Sequence, residues 1–462
     1  MKISPARAAA FDALARVERD AAFATEALDS RLEGRASRVD SALATELTLG
    51  VLRWQRLLDF LLSRYTKSAL ASLDAEVLLT LRLALYQLRF LSRVPASAAV
   101  NDSVELVKRA RKSSAAGLVN AVLRRAARDP QLRAAPESLV PANLPPAERL
   151  AIALSHPTWL VERWLARFGE GATRSLLEAD NHAPRLTAAI LRTERADEVR
   201  AALEQRGFQV LPGRWLASAV ELRPERDAGS RRSPRAPLPA GAIIQDEASQ
   251  MIPLLAGVQP GDHVLDLCAA PGGKTARLAL QSGAEFLVAS DVHLHRLRQM
   301  RELLARAGLP SLAALALDAT APLPFSARFD RVLVDAPCSG TGTLARNPEI
   351  RWRLKPEDLV ALAEKQRALL RQGLAQLSPR GRLIYSTCSL EPEENEAVIA
   401  PFLASGQARL VDARPALAPY LLADAPGASL FDGQEFFRTL PPRHFTDGFF
   451  AAALELRPAP AR

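Results

Sequence analysis

Two turns of this chain each set a cysteine among small polar residues. One reads Asp335-Ala336-Pro337-Cys338-Ser339-Gly340-Thr341-Gly342, the other Ser386-Thr387-Cys388-Ser389. A thiol made thiolate-like by its surroundings is a strong nucleophile, able to form and break a bond to an electron-poor carbon. A lone cysteine is more often a small buried hydrophobe. That reading is kept for Cys268, at the end of an apolar run, and set aside for Cys338 and Cys388. A third turn reads Asp266-Leu267-Cys268-Ala269-Ala270-Pro271-Gly272-Gly273-Lys274-Thr275. Small residues and two glycines let backbone approach a ligand, and a helix start offers free N–H groups. The dinucleotide pattern Gly-x-Gly-x-x-Gly is absent. Gly273-Lys274-Thr275 matches the end of a phosphate-binding P-loop, but Cys268 stands where its first glycine belongs. A P-loop ATPase acting on RNA, with Asp335 as its second acid, is therefore one alternative.

S-adenosylmethionine binding is the other reading of this turn, and acids at strand ends favour it. The elements that position them are strands alternating with helices: His263 to Leu267, Phe286 to Ala289 before Asp291, Leu312 to Leu317 before Asp318, Val332 to Val334 before Asp335, and Leu383 to Ser386. Such alternation predicts a parallel sheet that binds ligands at the carboxyl ends of its strands. Asp291 is placed to accept the hydrogens of ribose hydroxyls, and Asp318 to meet an adenine amino group. Any one acid here reads more simply as a helix N-cap. Four in register after four successive strands do not.

The front of the chain is different. Residues 1 to about 130 are rich in Ala, Leu and Arg with apolar residues at helical spacing, as in Leu118, Val119, Val122, Leu123 and Ala126. A helix holding Val100, Val104 and Val107 is predicted after Val94-Pro95, with Asn101, Asp102 and Ser103 in its first turn or cap. The chain carries 60 basic and 51 acidic residues, and only seven of the basic ones are lysine. Nine lie between Arg89 and Arg128 (Arg89, Arg93, Lys108, Arg109, Arg111, Lys112, Arg124, Arg125, Arg128), against Asp102 and Glu105. Such a cluster suits a polyanion. The expected organisation is a helical RNA-binding domain over 1–135, a Pro-rich connector, a small α/β RNA-recognition subdomain over 150–222, an Arg-containing linker over 223–239 and a catalytic domain over 240–462.

In 462 residues, three cysteines exclude a disulfide scaffold, and no apolar run is long enough to span a membrane. Met1 to Phe11 lacks the pattern of a secretory signal, so a cytoplasmic protein is expected. His293 and His295 lie two apart without a metal-ligand pattern, and no metal is expected.

Val94-Pro95, Asn101 to Lys108 and Gly117 to Arg125 resemble the NusB-like antitermination domain, an all-helical RNA-binding module. From Gln245 onward the chain resembles S-adenosylmethionine-dependent RNA (cytosine-5) methyltransferases. The matching segments are Gln245 to Ser249, the Asp266–Thr275 turn, Asp335 to Gly342, Arg346 to Trp352, Tyr385 to Ser389 and Thr446 to Phe450. Together the halves resemble bacterial 16S rRNA cytosine-5 methyltransferases of the Sun/Fmu (RsmB-like) type. The resemblance implies an all-α front domain and a Rossmann-like α/β domain with a mostly parallel seven-stranded sheet. It implies methylation of a specific cytosine of 16S rRNA, position 967 in the type it resembles, free or in an early small-subunit particle, by a monomer.

Cytosine C5 is a poor nucleophile. Thiolate addition at C6 makes an enamine that raises electron density at C5, and N3 then needs a proton or a strong hydrogen bond. The resemblance assigns Cys388 as the C6 nucleophile, Cys338 to product release, Asp335 to N3, and Lys274 to the base or cofactor. It places S-adenosyl-L-methionine against Cys268, Ala269, Ala270, Pro271, Gly272, Gly273, Lys274, Asp291, Asp318 and Asp335, with Asp266 near the methionine amino group. The target base must be unpaired or flipped, because the A-form major groove is deep and narrow. Trp352, Arg346 and Arg351 would hold it, although Trp352 reads equally well as a loop anchor; Arg443 and His444 would touch phosphate or cap the last strands. A non-catalytic, antitermination-like RNA-binding protein is the remaining alternative.

Overall fold

The structure, a computed structural model, describes residues 3–32, 37–224, 238–433 and 435–457. They form two units: residues 1–183 with 344–353, and residues 184–343 with 354–462. Among the described residues no helix is long and apolar enough to cross a membrane.

In the first unit, helices α1 (Pro5–Asp20), α2 (Ala24–Leu32), α3 (Arg38–Tyr65), α4 (Ala75–Phe90), α5 (Ala96–Arg109) and α6 (Ala116–Arg128) share one core. Pro5 opens α1, where its missing N–H costs nothing, and Ser37 caps α3 by accepting from Asp40 N. The central helix α4 is buried from Leu79 through Arg89, so its charges need internal partners. Arg82 grips Asp59 with two hydrogen bonds of 2.7 and 2.8 Å, and Arg89 donates to the carbonyls of Leu132 and Ala134. Arg89 is thus a core residue and does not belong to the basic surface. A second correction concerns α5. Pro95 is its N-cap, so Asn101, Asp102 and Ser103 sit mid-helix, and buried Asp102 pairs with Arg7 of α1 at 2.8 Å. The exposed cations that remain include Arg124, Arg125 and Arg128, while Lys108, Arg109 and Lys112 pair with Glu105, Asp12 and Asp74.

The segment Thr158–Asn181, helical on both sides of a kink at Gly169, also packs in this unit. The chain returns to the unit at 344–353. Fully buried Arg351 donates to the carbonyls of Arg53, Ser155 and Asp180 and to Asn181 Oδ1. Trp352 donates through Nε1 to Leu52 O at 2.7 Å and packs on the core.

The second unit holds two sheets. A four-stranded antiparallel sheet has the order β2 (Phe208–Pro212), β3 (Ala219–Pro224), β1 (Thr187–Ile190), β4 (Ala242–Ile244), with helix Ala196–Glu204 covering Val220, Leu222 and Ile190. Strand β4 lies beyond 239, and β3 extends through 223–224; within the expected linker, residues 225–237 fall outside the described residues.

The large sheet runs β11 (Phe431–Asp432), β12 (Phe436–Arg438), β13 (Phe450–Leu456), β9 (Leu377–Thr387), β8 (Phe329–Asp335), β5 (Val264–Asp266), β6 (Leu287–Asp291), β7 (Ala313–Ala316), with β10 (Ala408–Val411) on β13. It has nine strands rather than seven. The strands β7-β6-β5-β8-β9 are parallel and the C-terminal four antiparallel, because the chain after β9 folds back on that strand's free edge. Chain order reverses at β5, between β6 and β8, which opens a crevice at the carboxyl ends of β5 and β8.

Candidate functional site

That crevice is lined first by the turn after β5. Gly272 has φ +104°, and a Cβ there would lie 2.5 Å from Met300 Cγ, so the tight turn into helix Gly273–Ser282 requires glycine. Asp266 ends β5 fully buried. Its Oδ2 accepts from Thr275 Oγ1 at 2.8 Å, while its Oδ1 is buried without a partner. Burial pushes this carboxyl up to about 7, against the opposing hydrogen bond from Thr275. An unpartnered carboxylate oxygen beside a glycine turn fits a ligand that brings a cation or a donor. Asp291 ends β6, nearly buried; its Oδ1 accepts from His293 N at 2.9 Å and its Oδ2 lies 3.5 Å from Arg296. Arg296 also donates to Ala270 O at 3.0 Å, tying the first turn to the second strand end. Sequence reasoning missed this residue, which is one of many arginines on a surface helix. Asp318 is exposed and folded into a local turn, accepting from Thr320 N and Oγ1, which hold its carboxyl below the usual range. Cys268 packs against the core, and burial pushes its thiol well above the ordinary value.

The turn after β8 and the turn after β9 meet. Cys338 Sγ and Cys388 Sγ are 3.3 Å apart, both half-buried. The hydrogen bond with Cys388 and burial, with the nearby Glu394 charge, push the Cys338 thiol well up, so Cys338 keeps its proton. Lys274 Nζ reaches from the first turn to Asp335 Oδ2 at 2.6 Å, and Ser386 Oγ donates to Asp335 Oδ1 at 2.8 Å. The Phe449 ring lies 5.0 Å beneath Lys274 Nζ. Lys274 is thus committed to Asp335, which leaves it poorly placed for the role a P-loop lysine plays.

A residue the sequence reading did not single out holds the two cysteine turns together. Glu394 is fully buried and accepts from Ser339 N (2.8 Å), Ser339 Oγ, Gln366 Nε2 (2.9 Å) and Ser389 Oγ. Each serine directly follows one of the cysteines. Asn395 adds a bond to Ser389 O and accepts from Thr387 Oγ1. The only local signal is an acidic stretch after Cys388, which looks like solvated surface.

Other expected contacts lie elsewhere. Arg351 and Trp352 are spent inside the helical unit, so the anchor reading of Trp352 holds and the base-holding reading of both is withdrawn. His444 is buried, accepting from Leu440 N at 2.8 Å with its other nitrogen 3.1 Å from Ser429 O; burial lowers its pKa, and it is a structural cap rather than a phosphate ligand. The His293 and His295 rings lie 5.4 Å apart, and among the described residues no group of three or more His, Cys, Asp or Glu could hold a metal ion.

Comparison with known proteins agrees with this geometry at the level of family. A family profile described as 16S rRNA methyltransferase RsmB/F matches residues 253–455, one for the NusB family matches 4–128, and one for a ferredoxin-like domain of RsmF/B-like methyltransferases matches 156–228. A probable ribosomal RNA small subunit methyltransferase B of Synechocystis is 33% identical over 97% of this chain and 99% of its own. The corresponding Bacillus subtilis protein is 32% identical over 98% and 99%. Among solved structures, PH0851 superposes with a TM-score of 0.78 at 25% identity, covering 98% of this chain and 99% of that one. A methyltransferase homologue from Pyrococcus horikoshii gives 0.54 at 28% identity, over 68% of this chain and all of the other.

Proposed function

The chain belongs to the 16S rRNA methyltransferase RsmB/F family, and on that premise we propose that it methylates C5 of one cytosine in 16S rRNA through a covalent Cys388–C6 adduct. The observation that carries this reading is the 3.3 Å approach of Cys338 and Cys388 beside the Lys274–Asp335 pair. Bound S-adenosyl-L-methionine would supply an electrophilic methyl group. Asp266, Asp291 and the Ala269–Lys274 turn are the residues to hold it, with Asp318 offering its exposed carboxylate at the third strand end.

Cys388 attacks C6 as thiolate, and the C5=C6 electron pair becomes available at C5. Charge that builds on the ring is met at N3 by Asp335, with Lys274 hydrogen-bonded to that carboxylate beside the base. Cys338, kept as a thiol, does not compete for C6. Once C5 carries the methyl group, its hydrogen leaves as a proton to water, the C5=C6 bond re-forms and Cys388 is expelled as thiolate, with the Cys338 thiol assisting release by hydrogen-bonding the departing sulfur. Free 16S rRNA or an early small-subunit particle is the substrate, and the protein acts as a monomer. A P-loop ATPase and a non-catalytic antitermination-like protein are not favoured, given the family.

The test is bisulfite mapping of 16S rRNA from cells lacking the gene, complemented with wild type or Cys388→Ser. One protected cytosine is expected with wild type alone. Protection that survives Cys388→Ser would remove the proposed nucleophile.

A further inference from the structure

Phe445 is anomalous in two ways. It adopts the left-handed conformation, with φ +59° and ψ +30°, which is rare for a bulky side chain, and its ring is 53% exposed. Glycine would fit this backbone without strain. The surroundings suggest what the ring is for. The Arg214 guanidinium lies 4.0 Å from its centroid and that of Arg185 5.7 Å; both residues are exposed, Arg214 in the loop between β2 and β3 and Arg185 in the segment leading into β1. The arrangement is fixed from below: Trp215 Nε1 donates to His444 O at 2.9 Å, and Glu247 accepts from Arg214 N. The same loop continues into the catalytic edge. Gly448 N donates to Gly342 O at 2.7 Å in the Cys338 turn, and Phe449 lies under Lys274.

We propose that Phe445, flanked by Arg214 and Arg185, is a stacking platform for an unpaired nucleotide of the substrate RNA next to the target base. An aromatic face and guanidinium planes are what unstacked bases pack against, and the cations attract the adjoining phosphates. A flipped target leaves its neighbours without a stacking partner, and this ring offers one on the loop that borders the cysteines. The inference rests on the reading of the protein as an RNA methyltransferase. It also gives the small sheet a task, since the segments that flank its strands supply both arginines.

The test uses the full chain and an unmodified 16S rRNA transcript, with filter binding, methylation kinetics and thermal melting in parallel. Phe445→Gly is expected to bind the transcript about tenfold more weakly, with KM raised, kcat nearly unchanged, and a melting temperature equal to or above wild type. Phe445→Trp is expected to bind at least as tightly as wild type. Phe445→Gly binding within twofold of wild type would overturn the platform, as would weaker binding accompanied by a lower melting temperature. If wild type methylates the transcript and only the Phe445 expectation fails, the platform alone is wrong. If wild type neither binds nor methylates it, the underlying reading fails as well.

Discussion

Replacing Glu394 separates two physical effects by its two oxygens. Oε1 accepts from Ser339 N and Gln366 Nε2, groups that can only donate. Oε2 accepts from the hydroxyls of Ser339 and Ser389, which can rotate and also accept, and which already lie 3.0 Å from each other. In Glu394→Ala, Ser339 N is left buried without an acceptor and Gln366 Nε2 keeps only Pro337 O, at roughly 1–3 kcal/mol for each lost bond, so the loss should be roughly 2–6 kcal/mol. In Glu394→Gln the amide oxygen can keep both N–H donors while its NH2 faces the two hydroxyls, which turn to accept; about 1 kcal/mol is expected. Urea unfolding of the full chain gives the stabilities. Phenylarsine oxide, which bridges closely spaced thiols, reports whether the Cys338 and Cys388 turns stay together. Glu394→Ala should lose at least tenfold in arsenical affinity and Glu394→Gln should keep most of it. Equal damage from both variants, or an Ala variant as stable as wild type, would refute the assignment of the cost to the Oε1 donors.

Other perturbations have equally definite outcomes. Cys338→Ala should leave protein trapped on RNA as an adduct visible on a denaturing gel, because release loses its assisting thiol; a variant that turns over without an adduct would count against that role. The Asp266 carboxyl, ordinarily near 3.8, sits near 7 when folded, so the native state holds a proton the unfolded chain has lost, and stability should fall as pH rises from about 4 to about 7 and level off above. A cationic ligand beside it drives that proton off, so S-adenosylmethionine affinity should rise with pH up to about 7, and Asp266→Asn should flatten both profiles in melting and calorimetry. Gly272→Ala forces a side chain into positive φ and against Met300, and should cost roughly 1–3 kcal/mol with loss of S-adenosylmethionine binding; unchanged binding would show that the turn can relax. Arg351→Met leaves the carbonyls of Arg53, Ser155 and Asp180 without their donor and should destabilise by roughly 3–5 kcal/mol in urea unfolding, with Arg351→Lys a poor rescue because an ammonium cannot span that fan of acceptors.

Much of the site could be read from local order alone. Strand periodicity, the glycine turn and the acid or cysteine that ends each strand are set within about ten residues, since they follow from backbone sterics and side-chain alternation. The same local signals misled where a residue's partner is distant. Asp102 reads as a cap by its position after Pro95, yet Arg7, 95 positions earlier, decides its burial. Trp352 and Arg351 follow the Cys338 turn closely in sequence but find their partners among residues 52 to 181, and nothing near them announces that return. Glu394 sits in a stretch whose acids look solvent-facing, and its four donors come from three separate segments.

The sequence by itself determined which groups exist and at which strand ends they stand: the thiols of Cys338 and Cys388, the carboxylates of Asp266, Asp291, Asp318 and Asp335, and the amine of Lys274. Tertiary structure alone decided which of them touch, which charges lose their water, and which keep their protons. The reason is that desolvation and hydrogen bonding act over a few ångströms of space and take no account of distance along the chain.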